Sequence, residues 1–255
     1  MRILFLNKAP RNAAAYDVAT IEKLLNGYAS PGTTVEIGFP DNFTGSQVEA
    51  VLGDQKMLNG LDHIMEAPSI IRKILWAAEN GYDAVIQSNT FDPGVDGGRL
   101  TVGIPVIGPF RTTMHAASVL ADRIGIIVPL ASHVPYTWRL LRTFGMDGHV
   151  TGIKPLGVYG KKLADRRDEI AGIAVGLIGE LVRETGAQAI IPLGGAVIPY
   201  VVDTARLQAD SQVPVFNTKA ISIRFAEMCV ALGLTQSPLT YPRAELSYDD
   251  FVAQV

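Results

Sequence analysis

The residues of this 255-residue chain that can do chemistry recur where apolar runs stop. Asn7 follows Arg2–Leu6, and Ser88-Asn89-Thr90 follows Ala84–Gln87 and leads into Asp92-Pro93-Gly94. Thr112 and Thr113 come soon after Val106–Ile107, with His115 two residues further on. Gly194-Gly195-Ala196 ends the run Ala189–Leu193, and Asn217-Thr218-Lys219 ends Val213–Phe216. Asn, Ser and Thr side chains both donate and accept hydrogen bonds, and a glycine lets backbone approach a ligand because no Cβ intervenes. Several tips also open helices. Asp92 before Pro93 has the N-cap and N1 pattern, and Thr112 or Thr113 and Thr218 each precede an apolar helical run. A helix N-terminus presents free N–H groups and positive potential, which suits a carboxylate or phosphate. Read singly, each tip is a cap or a turn. Read together, they describe a pocket for an anionic or carbonyl-rich small molecule, bound by Asn7, Ser88, Thr90, Thr112, Thr113, Gly194, Ala196, Asn217 and Thr218.

The ionisable residues divide less clearly. His115, beside Thr112 and Thr113, is a candidate general base or substrate hydrogen-bond donor, with a structural histidine as the alternative. His133 falls in a loop and reads as exposed, and His149 falls in a turn. His63 and Glu66 are spaced to share one helix face, either over the cleft or, the plainer reading, toward solvent. Lys219 pairs with a carboxylate or is solvated. No His or Cys pair has zinc-ligand spacing, so no metal site is expected. The run from Gly94 to Gly98 lacks the Lys-Ser/Thr ending of a phosphate loop.

Elements of an α/β fold must position these tips. Strand-like runs at Arg2–Leu6, Thr34–Ile37, Ala84–Gln87, Val106–Ile107, Arg123–Val128, Val150–Pro155, Ala189–Leu193 and Val213–Phe216 alternate with helical patterns. The helices are expected over 18–28, 70–80, 113–120, 136–144, 165–184, 197–207 and 222–232. The continuous apolar character of the strands fits parallel sheets covered on both faces. Four strands before Gly108 and four after it give two similar halves, each with a four-stranded parallel sheet. The expected lobes are 1–108 plus 219–255, and 109–218, with a cleft between them. Ligands of such sheets sit beyond the carboxyl ends of the strands, where all of these tips lie.

Composition narrows the classes. A hydrophobic fraction of 48% supports a sizeable core, and a net charge of −3 with scattered Lys and Arg gives no nucleic-acid footprint. No apolar run nears the ~20 residues of a membrane span. The chain has one cysteine, Cys229, in an apolar helical run. It allows no internal disulfide, it is expected to be buried and inert, and the expected setting is the cytoplasm.

The run Tyr82-Asp83-Ala84-Val85-Ile86, then Asp92-Pro93-Gly94, Arg99 and Ile104-Pro105-Val106-Ile107-Gly108, resembles the first-half signature of the aspartate/glutamate/hydantoin racemase superfamily, in its hydantoin-racemase-like branch. Ile190-Ile191-Pro192-Leu193-Gly194-Gly195-Ala196 resembles the second, and Arg123–Val128 resembles the strand that opens the second half. The resemblance implies two pseudo-symmetric Rossmann-like lobes, no cofactor, a small-molecule substrate and possible homo-oligomers. It also implies two catalytic cysteines, one per half, at the positions held here by Asn89 and Gly195. Neither residue transfers a proton at neutral pH. Decarboxylases of the superfamily keep one cysteine and hold an enediolate with hydroxyl and N–H groups. The expectation is therefore an enzyme using Asn89, His115 and Gly195 as its catalytic positions on a small carboxylate or cyclic amide or imide. It would act as a lyase, decarboxylase or hydrolase through an enolate or oxyanion. The alternatives are a racemase with other acid/base groups and a non-catalytic binder of small acids.

Overall fold

The computed structural model describes residues 1–11, 16–40, 46–160 and 163–252. In chain order the elements are β1 (Arg2–Leu6), α1 (Val18–Tyr28), β2 (Thr34–Gly38), α2 (Ser46–Asp54), α3 (Leu61–Glu79), β3 (Ala84–Gln87), α4 (Val95–Arg99), β4 (Val106–Ile107), α5 (Pro109–Ser118), β5 (Ile124–Val128), α6 (His133–Phe144), β6 (Val150–Pro155), α7 (Arg167–Thr185), β7 (Ala189–Pro192), α8 (Thr204–Ser211), α9 (Thr218–Ala231) and α10 (Tyr248–Val252). They build two parallel sheets, ordered β2-β1-β3-β4 and β6-β5-β7.

Both sheets are covered on two faces, as continuous apolar strands require. Along β1, side chains alternate by the strand period of two. Ile3 and Phe5 enter the core shared with α1 and α9, while Leu4 and Leu6 enter the core shared with α3. In the second sheet Ile127 and Ile190 pack toward α7, and Ile126, Val128 and Ile191 pack toward α5 and α6. Each fully buried side chain of this size contributes about 1.5–3 kcal/mol.

Two expected elements differ. Val213–Phe216 is not a full strand; it meets the sheet as a single parallel bridge between Ile190 and Val215. Pro214 has no N–H, and the Gln208 side chain takes the Val215 N–H at 3.2 Å, so the ladder cannot extend. The helix expected over 197–207 is a series of turns followed by α8, because Pro199 lacks the N–H that a helix interior uses and Asp203 starts a new helix by accepting from the Ala205 N–H at 3.0 Å. The last residues of the first expected lobe, 253–255, lie outside the described residues.

Two contacts bring the sheets' tips together. The Thr90 hydroxyl, fully buried, accepts from the Gly194 N–H at 2.6 Å, joining the end of β3 to the end of β7. Asp92 accepts from the N–H groups of Phe110 at 2.9 Å and Arg111 at 3.0 Å, and so caps α5 from the loop after β3. Its φ of 55° is a left-handed conformation that Asp tolerates better than most residues. Asp92→Ala strands two helix N–H groups, and is expected to lower the unfolding free energy by about 1–3 kcal/mol, read by urea denaturation.

Candidate active site

A cavity of about 630 Å³ opens beyond the carboxyl ends of both sheets. Asn7, Ser88, Asn89, Gly194, Gly195 and Ala196 line it, so six of the residues singled out from sequence share one hollow. The others stand elsewhere. Thr90 lies just beneath, spent on Gly194. Thr112, Thr113 and Thr218 are buried where α5 packs on α9. Asn217 caps α9, accepting from the N–H groups of Lys219 and Ala220 at 3.1 Å each. His115 is a correction: it is exposed in the last turn of α5 and does not line the cavity. The inward face of α5 is taken by Phe110, Thr113, Met114 and Ala117, and the helical period turns His115 outward.

On the side of the first sheet, Asn89 is held by its own turn. Its side-chain oxygen accepts from the Phe91 N–H at 2.9 Å, which aims Nδ2 at His63 Nε2, 3.2 Å away. His63 belongs to α3, and the expectation of an exposed face is overturned, because Asp62, His63 and Glu66 are all buried. His133 is buried too, not an exposed loop residue, and its Nδ1 accepts from the Leu130 N–H at 3.2 Å. The two imidazoles flank Phe91, with ring centroids 5.3 and 4.9 Å from it. Burial holds both in the neutral form, His63 well below the ordinary range and His133 at about 4.

Beneath this wall lies an ion cluster. Lys8 Nζ stands 2.7 Å from Glu49, 3.4 Å from Glu66 and 3.5 Å from Asp62. Burial works against the ammonium, but the charges of Glu66, Glu49 and Asp62 outweigh it and raise the Lys8 pKa. Burial pushes the Glu66 carboxyl up to about 9, against the pull of Lys8. Asp62, His63 and Glu66 offer ligand atoms within 4.8 Å of one another, enough to consider a cation. The Lys8 ammonium, 3.5 Å from Asp62 and 3.4 Å from Glu66, supplies positive charge to that group, while both Asp62 oxygens, both Glu66 oxygens and His63 Nδ1 are buried without a hydrogen-bond partner among the described residues.

Beside Ser88, on α9, stands Lys219, for which the sequence allows pairing with a carboxylate or exposure to solvent. It is 1% exposed, and Nζ donates to the Ser88 carbonyl oxygen. Its nitrogen lies 5.5 Å from the Phe5 ring centre and 5.7 Å from that of Tyr200. Burial lowers its pKa to about 7, with Asp92 opposing. Its place in the first turn of α9, at the positive end of the helix dipole, also disfavours the ammonium. The glycine at 195 makes room for it: a Cβ there would overlap Lys219 Cε and Nζ. The preceding Gly194, at φ +83°, turns the chain so that, among the described residues, the N–H groups of Gly195 and Ala196 make no hydrogen bond within the protein. Tyr200, another wall residue, has a buried hydroxyl with no hydrogen-bond partner among the described residues. The cavity therefore offers an amine that changes charge near neutrality, amide and hydroxyl donors for an oxyanion, and no thiol. Cys229 is buried in the core of the first sheet instead.

Two parallel sheets meeting tip to tip over such a cavity define a two-lobed α/β protein of the racemase type. A model of the Asp/Glu/hydantoin racemase family matches residues 45–226, and the chain belongs to that family. The hydantoin racemase of Pseudomonas sp. (strain NS671) is 30% identical over 213 residues, covering 78% of this chain and 81% of that protein. The hydantoin racemase of Paenarthrobacter aurescens is 28% identical over 243 residues, covering 93% and 94%. Among solved structures, allantoin racemase from Pseudomonas fluorescens has a TM-score of 0.82 at 20% identity, covering 97% of this chain and 98% of that one. Unliganded arylmalonate decarboxylase has a TM-score of 0.59 at 14% identity, covering 90% and 92%. At these identities the likeness to solved structures establishes the fold.

Two outcomes follow from the Lys219 environment. Gly195→Ala is expected to cost about 1–3 kcal/mol of stability, and most of that cost disappears when Lys219→Ala is added, because the overlap is with the lysine alone. A double-mutant cycle by urea denaturation reads the coupling. Lysine in the unfolded chain titrates near 10.4. With the folded value lowered to about 7, the unfolded state binds more protons between those limits, so this group makes stability rise with pH. Lys219→Met, which removes the titrating amine, flattens that rise. Its thermal stability exceeds that of the parent most near pH 7 and least near pH 10, as scanning calorimetry across that range will show.

Proposed function

We propose that this chain is a cofactor-independent enzyme acting on a small carboxylate or a cyclic amide or imide, through an enolate or tetrahedral oxyanion. The observation that carries the reading is that Asn89 and Gly195, the tips of the two sheets, line one cavity furnished with N–H donors and an amine in place of sulfur. A single oxyanion-hole donor is worth about 3–4 kcal/mol of transition-state stabilisation. The cavity supplies candidates in the N–H groups of Gly195 and Ala196 and the Asn89 amide.

Within that reading, cleavage chemistry fits best: decarboxylation, elimination or ring hydrolysis. The polar groups of the cavity are chemically unlike, an amide beside a neutral imidazole and an amine held at the neighbouring Ser88 carbonyl. Racemisation asks for an acid and a base able to exchange roles across the substrate. A non-cysteine racemase is the second reading. It draws support from the hydantoin racemase relatives and from His63, a titratable group 3.2 Å from the Asn89 amide nitrogen.

The test is incubation of the purified chain with single enantiomers of substituted hydantoins, with substituted malonates and with maleate, in deuterium oxide. NMR and optical rotation are followed together. The expected result is a cleaved or decarboxylated product carrying solvent deuterium next to the remaining carbonyl. Loss of optical rotation with no cleavage transfers the conclusion to the second reading. No turnover on any compound refutes both.

A further inference from the structure

We infer that Lys219 is the catalytic proton carrier of this cavity, taking a proton from the carbon beside a substrate carbonyl and returning one to it. The inference rests on the enolate reading given above and names the group that serves it. A buried lysine ordinarily has a carboxylate partner, because an isolated ammonium is costly to desolvate. Lys219, at 1% exposure, has none among the described residues; its hydrogen-bond partner is the uncharged Ser88 carbonyl. By contrast Lys8, which also lines the cavity, has the acidic side chains of Glu49, Glu66 and Asp62 within 3.5 Å and is held as a cation.

The surroundings are built around this amine. Gly195 supplies the space that the end of the side chain occupies. Asn217 caps α9 so that Lys219 falls in its first turn, pointing at the cavity. Phe5 and Tyr200 wall it with rings. The charged group that acts on it is Asp92, and the nearest phenol, Tyr200, is held neutral by burial. An amine so placed exists as free base and ammonium in comparable amounts near neutrality, which is the condition for efficient general acid–base catalysis.

The step balances without a further reactant. The free amine forms a bond to the proton as the carbon–hydrogen bond breaks. The electron pair moves to the carbonyl oxygen, where N–H donors of the cavity can meet the charge. The ammonium then returns a proton to the carbon and is the free amine again; in a decarboxylation no carbon–hydrogen bond breaks, the ammonium protonates the carbanion left as carbon dioxide departs, and the amine so formed takes a proton back from solvent.

The test uses the whole chain in two measurements. Competitive acetylation with trace acetic anhydride between pH 5 and 10, resolved by peptide mass spectrometry, reports the titration of each lysine without any substrate. Lys219 is expected to reach half of its limiting reactivity near pH 7, while surface lysines do so near pH 10. In the substrate panel, Lys219→Ala is expected to lose about 10²–10⁴-fold in kcat. Ethylamine added to the assay restores part of that loss in proportion to its free-base concentration, which a merely structural role would not show. Half-reactivity near pH 10, or turnover unchanged in Lys219→Ala, overturns the inference and leaves the reaction reading intact. Failure of the parent chain on every substrate overturns the reaction reading and this role with it.

Discussion

The arrangement depends on one hydrogen bond between the lobes. Thr90, at the end of β3, receives the N–H of Gly194, at the end of β7, at 2.6 Å, and the hydroxyl is fully out of solvent. Parallel sheets present their ligand-facing loops at one end only. Two such sheets make a shared site only if those ends face each other at a fixed separation. The Thr90 bond sets that separation, the Asp92 cap on α5 sets the angle, and Phe91 fills the seam by packing into the core of the second sheet. Asn89 and Gly195, each one residue from a partner in that bond, are then brought to the cavity by the chain itself.

Within the cavity the two lysines illustrate opposite solutions to the same problem. Lys8 is charged because three acidic side chains surround it, and Lys219 can be neutral because nothing anionic is within ion-pair reach among the described residues. The difference arises from the elements that carry them. Lys8 follows a strand end and meets the acidic face of α3. Lys219 begins a helix and meets a carbonyl, two rings and a glycine. The same residue type is thereby a structural cation in one place and a titrating base in another.

Much of this was legible in the chain. The apolar runs match the strands, and the rule that ligands sit beyond strand ends selects Asn7, Ser88, Asn89, Gly194, Gly195 and Ala196, which line the cavity, together with Thr112, Thr113, Asn217 and Thr218, which do not. What escaped was whatever depends on the rotational phase of a helix. His115 lies two residues from Thr113, which is buried, yet two residues turn a helix by more than half a circle, and the ring ends in solvent. His63 and Glu66 carry polar side chains that mark a solvent face by composition, but α3 turns that face onto Lys8 and Asn89. The signal for Lys219 was present in its place beside Asn217-Thr218 at a helix start. Its meaning needed Gly195 opposite, 24 residues earlier in the chain and adjacent only in the fold.

The ion cluster at Lys8 also gives the hollow a direction. Its ammonium is already neutralised by neighbouring acids, so an entering carboxylate finds no unspent cation there and meets Glu49 and Asp62 instead. The cavity is also lined by Gly195 and Ala196, whose N–H groups make no hydrogen bond among the described residues. The potential across the cavity is therefore uneven, with acidic side chains around Lys8 and unspent amide N–H groups beside β7.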